Sequence, residues 1–161
     1  MTIRSFVTFD DAQNPAETSR VAAGWPARPS REIDPDEQDP DVWDAIPPGR
    51  DIADELARGL QARGLDLAFP VTQWESYGWE FTVKADGRDV WFMLQDTGDW
   101  LLMSDTPRSF KEKIRGARFE EQHAKALAHV ASVLAPPRFT NVRWFTPDEF
   151  KRNEPGAESP T

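Results

Sequence analysis

Residues 77–105 read YGWEFTVKADGRDVWFMLQDTGDWLLMSD, three alternating apolar runs separated by Asp86-Gly87 and Thr97-Gly98. An aspartate–glycine pair between such runs is a strong signal for a two-residue hairpin. Three strands joined in this way commit the chain to an antiparallel sheet. The first turn pairs Val83 with Val90, Phe81 with Phe92 and Trp79 with Leu94. A second two-residue turn at Thr97-Gly98 pairs Leu94 with Leu101 and Phe92 with Met103.

Side chains alternate between the two faces of a strand. One face then carries Trp79, Phe81, Val83, Val90, Phe92, Leu94, Leu101 and Met103, and is the expected core. The other carries Glu80, Thr82, Lys84, Trp91, Met93, Trp100, Leu102 and Ser104. A slip of one residue in either turn exchanges the faces of everything after it. Both faces hold large apolar groups, so the second needs a cover of its own: another segment of the chain, another chain or a ligand.

The flanking sequence supplies helices for one face. Asp51 can cap a helix that Gly64 ends, and Ile52, Leu56 and Leu60 make a narrow apolar stripe along it. Leu65, Leu67 and Phe69 alternate as a short strand that Pro70 should end. A second helix over 119–135 buries Phe119, His123, Leu127, Val130 and Leu134 before Pro136-Pro137 stops it. Residues 139–145 alternate as a last strand. Thr146, Pro147 and Glu149 then form a capping box that opens a short helix.

The expected fold class is α+β: an antiparallel sheet of four to six strands, two main helices packed on one face, and a proline-rich acidic N-terminal arm. The arm covers residues 1–50, with a candidate first strand at 3–9. A single α+β domain occupies 51–150, and 151–161 is expected to be a disordered tail.

Composition narrows the function classes. A chain of 161 residues supports one domain with a proper core. It has no cysteine, which removes disulfides and thiolate metal sites and suits a reducing compartment. The N-terminus lacks an apolar signal region, and no apolar run is long enough to span a bilayer. A cytoplasmic protein with no membrane partner is therefore expected. The formal charge of −9 is concentrated: residues 32–44 hold seven acids and no base, and the rest carries 21 acids against 19 bases. Without a basic stripe, nucleic acid is an unlikely partner. One short basic cluster does occur: Arg108, Lys111, Lys113, Arg115 and Arg118. It reads as a solvated loop, a small phosphate patch or a dock for the acidic arm.

Catalytic signals are weak. His123 and His129 are six residues apart, where a metal would want one helical turn. The DPDEQD run at 34–39 lacks the glycine and terminal glutamate of a calcium loop. Asp96 and Asp99 bracket a tight turn, as aspartates ordinarily do, and a catalytic pair is the lesser reading. No catalytic residue, metal or cofactor is expected. The best binding candidates are Trp91, Met93, Trp100 and Leu102, clustered where the second and third strands meet, with Trp43 of the arm. Tryptophan and methionine suit interfaces because they bury much area and adapt to a partner. Trp25 or Trp43 packing on that face is the alternative.

Over residues 50–150, the order helix, antiparallel strands, helix, strand resembles small bacterial α+β binding domains, among them toxin-immunity proteins and secretion-chaperone-like domains. The resemblance is one of architecture and transfers no functional position. It implies a non-catalytic, often acidic protein that grips another protein, here one of basic character, with a homodimer as a further option. The alternative is a small-molecule or peptide-binding domain, or a carboxylate-based enzyme, with a pocket between sheet and arm.

Overall fold

The computed structural model of the chain describes residues 1–22, 24 and 46–161. Trp43, Trp25 and the acidic segment 32–44 lie outside the described residues. The elements are β1 (Phe6–Asp11), α1 (Glu17–Ala22), α2 (Arg50–Ala62), β2 (Asp66–Trp74), β3 (Gly78–Ala85), β4 (Arg88–Asp96), β5 (Trp100–Asp105), α3 (Phe110–Ile114), α4 (Glu120–Val133), β6 (Phe139–Phe145) and α5 (Pro147–Lys151). The class is α+β, and the strands form one six-stranded antiparallel sheet in the order β2-β3-β4-β5-β1-β6.

β1 is not part of an appended arm. It lies between β5 and β6, with Val7 and Phe9 each 1% exposed on one face and Phe6 and Thr8 on the other. An interior strand needs apolar residues on both sides, and this short sequence has them. The domain thus begins before residue 6. β2 also departs from expectation, because it runs through Pro70. Register shifts between Leu67 and Phe69 and between Phe69 and Thr72 absorb the proline, which an edge strand tolerates.

The hairpin at Asp86-Gly87 has the expected register, with Val83 opposite Val90, Phe81 opposite Phe92 and Trp79 opposite Leu94. The next turn does not. Asp96 pairs with Trp100, which leaves three residues, 97–99, in the loop. Leu94 therefore faces Leu102, and Phe92 faces Ser104. Gly98 takes φ 104°, and its N–H donates to Asp96 Oδ1 at 3.0 Å. A three-residue loop with glycine in a left-handed conformation is the next most common hairpin after the two-residue kind. One extra loop residue exchanges the faces of the whole of β5.

Trp100 and Leu102, at 0% and 1% exposure, consequently belong to the main core, together with Phe81, Phe92, Leu94, Val7, Phe9 and Trp144. Ile52, Leu56 and Leu60 of α2 and Ala126, Leu127 and Val130 of α4 join the same core. The Trp100 indole N–H donates to the Asn14 carbonyl at 2.7 Å. Its ring also lies against Gly49, the N-cap of α2, where any Cβ would fall 2.6 Å from Trp100 Cζ3. Gly49 rather than Asp51 therefore caps α2, and Asp51 pairs instead with Arg138 at 3.4 Å.

The final residues, expected to be a disordered tail, are tied down. Trp144 and Ala157 exchange backbone hydrogen bonds at 2.9 and 2.8 Å, and Arg4 N donates to the Pro160 carbonyl at 2.9 Å. Replacing Trp100 should test the corrected register. Trp100→Ala is expected to cost about 3–5 kcal/mol of stability, the range for truncating a buried aromatic. Trp91→Ala should cost clearly less in the same denaturant titration.

Candidate functional site

The second sheet face now has a different membership. Trp91 and Met93 of β4 remain on it, joined by Leu101 and Met103 of β5 and Phe6 of β1. Met93, Leu101 and Phe145 are buried at 3%, 3% and 8% exposure, yet stand apart from the main core. Part of the cover comes from α5, whose capping box at Thr146 and Glu149 fixes its start. From α5, Phe150 sets its ring edge-on to Phe6 and Phe145, each at 5.6 Å. Gly156 of the tail backs onto the Phe145 ring. The β1–β6 end of this face is thus closed by the chain's own C-terminus.

The β2–β4 end is different. Phe69 pairs with Thr82 and Trp74 with Gly78, which puts both aromatics on the same face as Trp91. They are 47% and 45% exposed, and Tyr77 in the following turn is 57% exposed. Trp91 is half-buried, and its indole N–H donates to Glu80 Oε2 at 2.7 Å, which fixes the ring. The charges here are mostly negative: Asp66, Glu75 and Glu80, with Asp89 held by Lys84 at 2.5 Å. Simple alternation puts Phe69 on the face of Leu65 and Leu67, and the register shift between Leu67 and Phe69 turns it to the other face, opposite Thr82. Trp74 lies beyond Pro70, where the expected strand stops. The alternation Thr72/Trp74 against Val71/Gln73 beyond the proline was the available signal.

Asp96 has a structural duty. One carboxylate oxygen accepts from Gly98 N and the other from Glu17 N at the start of α1, both at 3.0 Å. His123 is 7% exposed, and its Nε2 lies 2.8 Å from Ser104 Oγ. Such a pair resembles a nucleophile and its base, but the proton runs the other way. The Ser104 hydroxyl donates its one hydrogen to the Ser5 carbonyl at 3.0 Å, so His123 Nε2–H must donate to the hydroxyl. A serine nucleophile requires the opposite direction. The contact joins α4 to β5 and to the residue that precedes β1.

The basic cluster is built around α3. Ser109 and Glu112 form a capping box, and Glu112 also takes two hydrogen bonds from Arg88, at 2.7 and 3.0 Å. The Arg88 guanidinium in turn lies 3.6 Å above the Phe119 ring. Hydrogen bonding from Arg88, then from Ser109, lowers the Glu112 pKa to about 2. Because the folded value lies below the unfolded one, this contact is at full strength above the ordinary carboxylate range. It fades only as pH falls toward 2.

Burial pushes the His123 pKa down, opposed in part by the Asp105 carboxylate. The folded state therefore resists a proton that the unfolded chain accepts, and stability falls as pH drops below the ordinary histidine value of about 6.5. His123→Gln keeps an N–H for Ser104. It should flatten the fall in thermal midpoint between neutral pH and about pH 5.

Compared with protein-family models, curated proteins and solved structures, the chain matches none.

Proposed function

We infer that the chain is a non-catalytic protein-binding module that takes a basic partner on the β2–β4 half of the second sheet face. The observation that carries this reading is the coincidence of exposed Phe69 and Trp74, half-buried Trp91 and the carboxylates of Asp66 and Glu80 on one side of three adjacent strands, with Glu75 in the turn beside Trp74. Aromatic faces beside carboxylates attract guanidinium and ammonium groups, by ring quadrupole and charge together. Tyrosine and tryptophan also dominate the energetic centres of interfaces.

In this reading, the main helices α2 and α4 cover the other face and hold the sheet rigid. The proline-rich acidic sequence at 32–44 acts as an arm that adds to the negative field steering a basic partner. An immunity-protein or chaperone type of action in a bacterial cytoplasm fits the architecture. Like charge on facing copies opposes a homodimer through this surface.

The test is capture from a lysate of the source cells with tagged wild type, with Trp74→Ala/Trp91→Ala and with Glu80→Lys. The expected result is a stoichiometric basic protein held by the wild type and lost by both variants, each with a near-normal thermal midpoint. Capture that survives both sets of changes, or no capture at all, would sink the assignment of this face.

A further inference from the structure

α3 presents a second surface. Phe110 and Ile114 stand one helical turn apart and are 78% and 70% exposed. Side chains four residues apart share one side of a helix, so the two project together. Around them Arg108, Lys111, Lys113, Arg115 and Arg118 are all exposed. Glu112, the one acid in the segment, is turned away to Arg88 and to the cap. Lys111, Lys113 and Arg115 make no side-chain ion pair or hydrogen bond among the described residues. Arg118 pairs with Glu120 at 3.7 Å. The apolar pair is thus flanked by three bases, Lys111, Lys113 and Arg115, that carry no partner among the described residues, on a pre-formed turn.

We propose that α3 docks on an anionic phospholipid surface, with Phe110 and Ile114 entering the headgroup boundary and the basic side chains lying against lipid phosphates.

Size and shape favour a bilayer over an acidic protein. A five-residue helix is about 7–8 Å long, and two projecting side chains fall well short of the roughly 1,000 Å² that a specific protein interface needs. A bilayer needs no matching pocket, and each inserted apolar group and each base near the surface adds separately to affinity. No helix among the described residues is long and apolar enough to cross a membrane. The expectation of no membrane partner rests on the lack of a spanning apolar run, but a surface contact requires no crossing. At physiological salt, charges more than about 8 Å away are largely screened. The local patch, rather than the formal −9, therefore sets the attraction. Arg88, which holds α3, has the parity of Val90 and Phe92 and so points to the helix side of the sheet. The lipid surface and the aromatic face are therefore separate, and this inference does not rest on the partner-binding reading.

The test is co-sedimentation of the full chain with sucrose-loaded vesicles of phosphatidylcholine alone, or with a third of the lipid as phosphatidylglycerol, at low and high salt. Binding is expected only to the mixed vesicles and should weaken with salt. Phe110→Ala/Ile114→Ala and Lys111→Glu/Lys113→Glu should each reduce it by about tenfold or more. The chain has no cysteine, so Phe110→Cys accepts a single polarity-sensitive dye, which should brighten on the mixed vesicles. Failure to sediment with mixed vesicles at low salt would overturn the proposal. So would sedimentation untouched by both double variants. Capture by soluble polyglutamate with no vesicle binding would also overturn it, and would assign the patch to an acidic protein.

Discussion

Trp100 is where the separate parts of this structure meet. Its indole N–H reaches the Asn14 carbonyl, and its ring closes on Gly49, which Leu94 of the central sheet also approaches. The segment after β1, the entrance to α2 and the centre of the sheet are therefore fixed by one side chain. That arrangement needs Trp100 on the helix side, and only a three-residue loop at 97–99 puts it there. Asp96 and Gly98 stabilise the loop, and α1 is docked on it through Glu17 N and through Thr18 N, which donates to the Gly98 carbonyl. Loop length, a property of three residues, sets the composition of both sheet faces.

The second face is divided by the C-terminus. Phe150 and Gly156 close the end formed by β1 and β6, where Phe6 and Phe145 lie. They do not extend across to Phe69 and Trp74, which keep nearly half of their surface. The acidic aromatic surface is what the chain's own described segments leave over, and Glu80 keeps the Trp91 ring in a defined orientation there.

Local signals were legible where the local sequence decides the structure. Asp86-Gly87 fixed its register, Thr146 and Glu149 fixed the start of α5, and the alternation from Phe139 to Phe145 marked β6. Of the candidate site, Trp91 and Glu80 were legible on the second face, while Met93, on the same face, is buried at 3% exposure. The rest was misplaced for two physical reasons. Thr97-Gly98 suits two loop lengths, and the choice depends on Asp96 bonding to Gly98 N and to α1, contacts that no nearby residue announces. Pro70 ends an interior strand but only bends an edge strand, and edge position is a property of the whole sheet. The anchoring of Ala157 to Trp144 is likewise long-range, so the terminal sequence carries no trace of it.

The two borders of the sheet are treated differently, and this bears on edge-to-edge strand pairing. At β6, Ala157 occupies backbone groups of Trp144 that would otherwise face outward. At β2, Pro70 removes a donor and two register shifts break the line of the strand. An uninterrupted border is a template on which another copy can add a strand and start aggregation. Neither border offers a continuous ladder of that kind. Trimming the last eight residues would return one of them to the solvent and uncover Phe145, leaving a border on which another copy could add a strand.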